Sequence, residues 1–103
     1  MPLIMSGQTT TGPGSATPHG AAKGSTFQAA VAGTGAVTAT VAIEVSNDPV
    51  NLGWITLGTI NLSGTNTATD GFAVLAPWAY ARANVTERSG TNAAVSVGVN
   101  GGI

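Results

Sequence analysis

One histidine, His19, four acids, Glu44, Asp48, Asp70 and Glu87, and no cysteine are what the sequence offers for acid–base or metal chemistry. General acid–base catalysis needs such groups to converge on one substrate atom. His19 sits between Pro18 and Gly20 in a Gly/Pro-rich stretch. A single loop histidine without a partner reads as a solvated side chain. Asp48 and Asp70 fall in turn sequences, where a carboxylate caps local backbone groups. Glu44 falls on the polar face of an alternating stretch. No two acids are near neighbours in sequence, so a paired-carboxylate glycosidase site is the weaker reading. No serine stands in a nucleophile-elbow motif. The "GTG" at 33–35 lacks the lysine of a phosphate-binding loop and the helix after it. Asn61-Leu62-Ser63 and Asn84-Val85-Thr86 match the glycosylation sequon, and without a secretory start they read as chance matches. The expectation is no catalytic residue, no metal site and no cofactor.

Composition then bounds what the chain can be. Its 103 residues support one domain. Apolar residues make up 43%, but 17 of them are alanine, so the core is expected to be thin. Only 7% of residues are charged, against about 25% in ordinary soluble domains. Such a surface suits a protein packed against other proteins. Lys23, Arg82 and Arg88 are too few and too scattered for a nucleic-acid interface. "MPLIMSG" has no basic start, and no apolar run reaches the length of a membrane span. Synthesis in a reducing cytoplasm fits the absence of cysteine.

Periodicity places these residues on elements. Residues 1–25 read as an extended N-terminal arm, either loose or ordered against a neighbouring subunit, with Pro13 and Pro18 limiting the entropy of docking. Residues 26–103 read as the folded domain. In 37–45 every second residue, from Val37 and Ala39 to Val41, Ile43 and Val45, lies on one face, the signature of a half-buried strand. Further strands are expected at 26–33, 54–62, 72–76, 78–86 and 93–99. Turns are expected at 34–36, 46–53, 63–71 and 87–92, where Gly, Asn, Asp and Ser gather. Gly58 suggests a bulge or a close approach. No stretch has helical periodicity. The fold class is all-β, an antiparallel β-sandwich or jelly roll with an extended N-terminal arm.

Two aromatic positions stand out in a chain with few large side chains. Trp54 follows the Asn/Asp loop and is expected to fold under it as the main large core residue, beside Val41, Ile43 and Val45. On that reading Trp54→Ala costs roughly 3–5 kcal/mol. Trp78, Tyr80 and Arg82 share one face of the 78–86 strand. They form a candidate interface, with Pro13 and Pro18 of the arm, or a candidate sugar-stacking patch. Ala79, Ala81, Ala83 and Val85 on the other face are equally able to be the buried side.

The segments "ATVAIEVSND", "WITLGTINLSGT", "DGFAVLAPWAYARANVTERSGT" and "AAVSVGV" together resemble a recurrent module of tailed-phage virion proteins. The resemblance spans roughly residues 26–100. This chain departs from it in the longer "PVNLG" loop and in its own arm. What the resemblance implies is an assembly role, most like a capsid cement or decoration protein. Such a protein is made in the bacterial host cytoplasm and sits on the outer capsid surface. The implied partners are two further copies, as a homotrimer, and the major capsid protein, with no nucleic acid and no membrane. A tail, adaptor or baseplate station is the alternative. A carbohydrate-binding module displayed on the virion is another.

Overall fold

Valine, threonine and isoleucine crowd the alternating stretches, and these β-branched residues favour a pleated, half-buried surface. The computed structural model describes residues 3–18, 24–75 and 78–101. His19, Lys23 and Pro77 lie outside the described residues. The fold is all-β: β1 (Leu3–Gln8), β2 (Gly12–Pro13), β3 (Thr17–Pro18), β4 (Gly24–Ser46), β5 (Ile55–Leu75) and β6 (Tyr80–Gly101). All pairings are antiparallel. The sheet runs β1-β6-β4-β5, with β2 and β3 also on β6.

Strands of 21 to 23 residues are far longer than the usual five or six, and connectivity shows how they fit. Leu75 pairs with Gly24 at the start of β4, and Tyr80 pairs with Ser46 at its end. In a flat sheet those ends lie about 70 Å apart at ~3.3 Å per residue. The chain from Leu75 to Tyr80 reaches about 18 Å at most. The longest dimension of the molecule is 39 Å. The sheet is therefore doubled over into two layers, one holding 24–32, 67–75 and 94–101, the other 36–46, 55–65 and 80–89. One sheet supplies both faces of a sandwich-like core.

The fold line coincides with three of the expected turns. Register shifts fall between Ala32 and Ala36 on the β5 side and between Ala32 and Thr38 on the β6 side. Gly35, Asn66, Gly90 and Asn92 have positive φ there. A Cβ on Gly90, whose φ is +125°, would lie 2.8 Å from the Ala36 carbonyl oxygen, so only glycine fits. The Gly35 N–H donates to Asn66 Oδ1 at 2.8 Å and clamps β4 to β5 at the bend. The turn residues at 34–36, 63–71 and 87–92 thus bend strands that continue on both sides. Ladder pairing across the kink prevents a reversal.

Buried side chains face each other inside the doubled sheet. Val41, Ile43 and Val45 are fully buried with Phe27, Val31 and Val97. On β6 the small face is the inner one: Ala81, Ala83 and Val85 are buried. The two layers approach closely at Gly58, where a Cβ would stand 2.7 Å from Cζ of Phe72. The Phe72 ring lies 5.5 Å from that of Phe27. Gly58 also borders a register shift opposite Ile43 and Glu44, so it serves both the bulge and the close approach.

The N-terminal segment, expected as an arm, lies along the outer edge of its own β6. Leu3 pairs with Gly98, Gly12 with Val85, and Thr17 with Ala81. The Gly14 N–H donates to the Ala83 carbonyl at 2.7 Å. Ile4 and Met5 are 6% exposed and belong to the core. They are two of the few large apolar residues in an alanine-rich chain, which is why the segment docks at home. Ile4→Ala is expected to cost about 2–5 kcal/mol in equilibrium urea unfolding. A loss within ~0.5 kcal/mol, the range of neutral surface changes, is the result that contradicts this seating.

Candidate docking surface

The loop between β4 and β5 is stiffened by short polar side chains. The Asp48 N–H donates to Ser46 Oγ at 3.1 Å. The Asn51 N–H donates to Asp48 Oδ1 at 3.2 Å, and Asn51 Nδ2 donates to Asp48 Oδ2 at 2.8 Å. The Leu52 N–H closes a turn on the Asp48 carbonyl at 2.8 Å. From the far side, the Ala79 N–H donates to Asn47 Oδ1 at 3.2 Å and ties the loop to the start of β6. These are the local caps that Asn and Asp favour. The Asn51 side-chain amide, joined by the Asn51 and Val50 backbone N–H groups, holds the Asp48 carboxyl below its ordinary value despite a small opposing effect of burial.

What this stiff loop presents is apolar. Val50 is 91% exposed and Leu52 74%, and the neighbouring Ile55 is 52% exposed. Beside them is a shallow recess of about 170 Å³, lined by Val45, Leu52, Gly53, Ile55 and Trp78. Leu52 and Ile55 line this mostly apolar recess together with the polar Ser46 and Asn47, and the exposed Val50 stands two residues before Leu52 in the same loop. The sequence alone suggests that 46–53 is a turn stiff enough to serve as a contact surface, but it does not single out Val50 and Leu52. The available signal was two large apolar residues inside an otherwise polar turn, where burial does not account for them.

Trp54 is not a core residue. It is half-buried, and its ring is covered by the Arg82 guanidinium, with Cζ 4.4 Å from the ring centroid. Glu44 and Arg82 are cross-strand partners, with Arg82 Nε donating to Glu44 Oε1 at 2.6 Å and Asn84 Nδ2 to Glu44 Oε2 at 3.3 Å. Glu44 alternates with the buried Ile43 and Val45, so this cluster is on the outer face. Thr56 is the β5 partner of Glu44, and period 2 puts Trp54 on that same outer face. Trp54 therefore caps an ion pair outside the core.

Trp78, Tyr80 and Arg82 do not form one platform. Trp78 packs against the core and lines the recess, Tyr80 is 37% exposed, and Arg82 is engaged by Trp54 and Glu44. Pro13 and Pro18 pair with Asn84 and Tyr80 of the same chain. Proline has no N–H to donate and is confined to sheet edges, where these two lie. Of the remaining acids, Asp70 Oδ1 accepts from the Gly71 N–H at 2.8 Å. Among the described residues no three His, Cys, Asp or Glu side chains come together as a metal site.

No protein-family model, curated protein or solved structure matches the chain.

Two outcomes are expected from this geometry. Trp54→Ala should lower stability by about 1–2 kcal/mol, the scale of a partly desolvated cation–π contact, and urea unfolding measures it. The Asp48 carboxyl is depressed in the folded protein, so its contribution is present above the ordinary carboxylate value of about 3.9 and is lost as pH falls through the lower folded value. Val50 and Leu52 methyl resonances should therefore hold constant linewidths down to about pH 4. Below it they should broaden or shift before the core valines do.

Proposed function

We propose that the chain is a capsid decoration subunit of a tailed phage. It binds as a homotrimer to the outer surface of the major capsid protein shell and stabilises it. The observation that carries this reading is the stiff loop holding Val50 and Leu52 in solvent beside a mostly apolar recess. A lone exposed apolar residue needs no explanation, but large apolar residues held together in one loop by polar side chains fit a docking site. Preorganising the loop lowers the entropy lost on contact. With few charges on the chain, attachment relies on apolar burial and shape. Each contact is modest, and a trimer on a repeating lattice engages several at once, so weak contacts multiply into stable attachment. The resemblance of residues 26–100 to phage virion modules supports the same role.

A tail, adaptor or baseplate station uses the same kind of surface at low copy number. Quantitative mass spectrometry of purified particles separates the two. The decoration reading expects a copy number near that of the major capsid protein. A handful of copies per particle moves the protein to the tail, and absence from particles removes it from the virion. Val50→Asp with Leu52→Asp should abolish binding to purified shells while leaving the unfolding midpoint in place. Unchanged occupancy on shells rejects this loop as the contact.

A further inference from the structure

Asp70 and Gly71 lie on the outer edge of the 67–75 half of β5, and both are exposed. Among the described residues no strand pairs with that edge. In an antiparallel ladder, successive residues turn their main-chain groups alternately toward a partner strand and away from it. The Ala29 carbonyl accepts from Thr69 Oγ1 of β5 at 3.0 Å, so Ala29 turns its main chain to β5. Asp70 is the register partner of Ala29 and turns its own groups back to β4. Gly71, the next residue, therefore turns its N–H away from the ladder. There it donates to Oδ1 of Asp70 at 2.8 Å. The nitrogen of one residue is thus held against the carboxyl group of the residue before it, with no ladder bond to break.

Packing keeps a glycine at this place. A Cβ on Gly71 would run into the Phe27 carbonyl oxygen. Glycine also leaves its own nitrogen unshielded, since it has no side chain to stand over it.

We propose that Asp70 is a modification site, converted to isoaspartate in the folded protein with water as the sole reagent. The Gly71 nitrogen attacks Asp70 Cγ and gives up its proton. The Cγ–N bond forms, the Cγ–OH bond breaks, water leaves, and a five-membered succinimide closes. Water then adds to the main-chain carbonyl carbon of Asp70. The bond from that carbon to the Gly71 nitrogen breaks, and the nitrogen recovers a proton. The chain now runs through Cγ, and the former main-chain carbonyl is a free carboxylate. One water is lost and one gained, and nothing is oxidised or reduced.

The product has one extra methylene in the main chain of β5 just before Phe72. Phe72 is the register partner of Phe27, and their rings lie 5.5 Å apart. It also packs against Gly58, where not even a Cβ would fit. A longer main chain displaces Phe72 from that seat, so isomerisation weakens the contact between the two layers.

The test ages the full folded chain in warm neutral buffer beside the same chain unfolded in urea. Digestion and electron-transfer fragmentation locate isoaspartate residue by residue. A junction that reacted only after local opening would be slowed in the folded chain by at least about tenfold. The expected result is isoaspartate at 70 in the folded chain at a rate above that limit. A slower folded rate overturns the proposal, as does isoaspartate confined to Asn100–Gly101, the Asn-Gly junction in β6. Asp48 is the internal blank, because the nitrogen of Pro49 carries no proton to lose. Asp70→Glu keeps the carboxylate but needs a six-membered ring, and should lose the reaction at 70 while keeping the urea midpoint. The separated isoaspartyl form should unfold at lower urea than the unaged chain, and an unchanged midpoint overturns the displacement of Phe72. No capsid shell enters these measurements, so their failure leaves the decoration reading untouched.

Discussion

The short covalent path from Leu75 to Tyr80 is the constraint on which the rest of the architecture depends. It joins the strand that ends beside Gly24 to the strand that begins beside Ser46, at opposite ends of β4. About 18 Å of chain cannot bridge about 70 Å of flat strand, so the three long strands bend together. Once they bend, their inner faces meet and a core forms between two halves of one sheet. The bend in turn demands the glycines and positive-φ asparagines gathered near 35, 66 and 90–92. It also sets the thin core. Layers that meet at Gly58 and through Ala81 and Ala83 come close together, and small side chains are what such a gap accepts.

A core of small residues leaves little stabilisation to spare, and the molecule recruits large apolar side chains where it can. Ile4 and Met5 are drawn from the N-terminal segment into the core, and β1 to β3 cover the β6 edge as a consequence. What stays outside is then informative. Val50, Leu52 and Ile55 are large and apolar in a chain short of such residues, yet they face solvent. Side chains that the monomer does not use, held in place by Asp48 and Asn51, fit a role in contact with another molecule. The outer face is treated differently. Its Glu44, Arg82, Asn84 and Trp54 satisfy one another within the chain.

Period-2 alternation, β-branched residues and the absence of any helical pattern determined the all-β class and the buried row Val41, Ile43 and Val45, because side-chain alternation is a local property of an extended chain. Turn chemistry likewise marked the places where the backbone departs from extended geometry. Three decisions belonged to the tertiary structure. Whether 34–36, 63–71 and 87–92 reverse or only bend depended on cross-strand register, which no local signal carries. Whether Trp54 or the alanines of β6 faced inward depended on how close the second layer came, since alternation names two faces without saying which is buried. Whether residues 3–18 projected or docked depended on an open β6 edge and a vacancy for Ile4 and Met5, and both exist only after the sheet has doubled over.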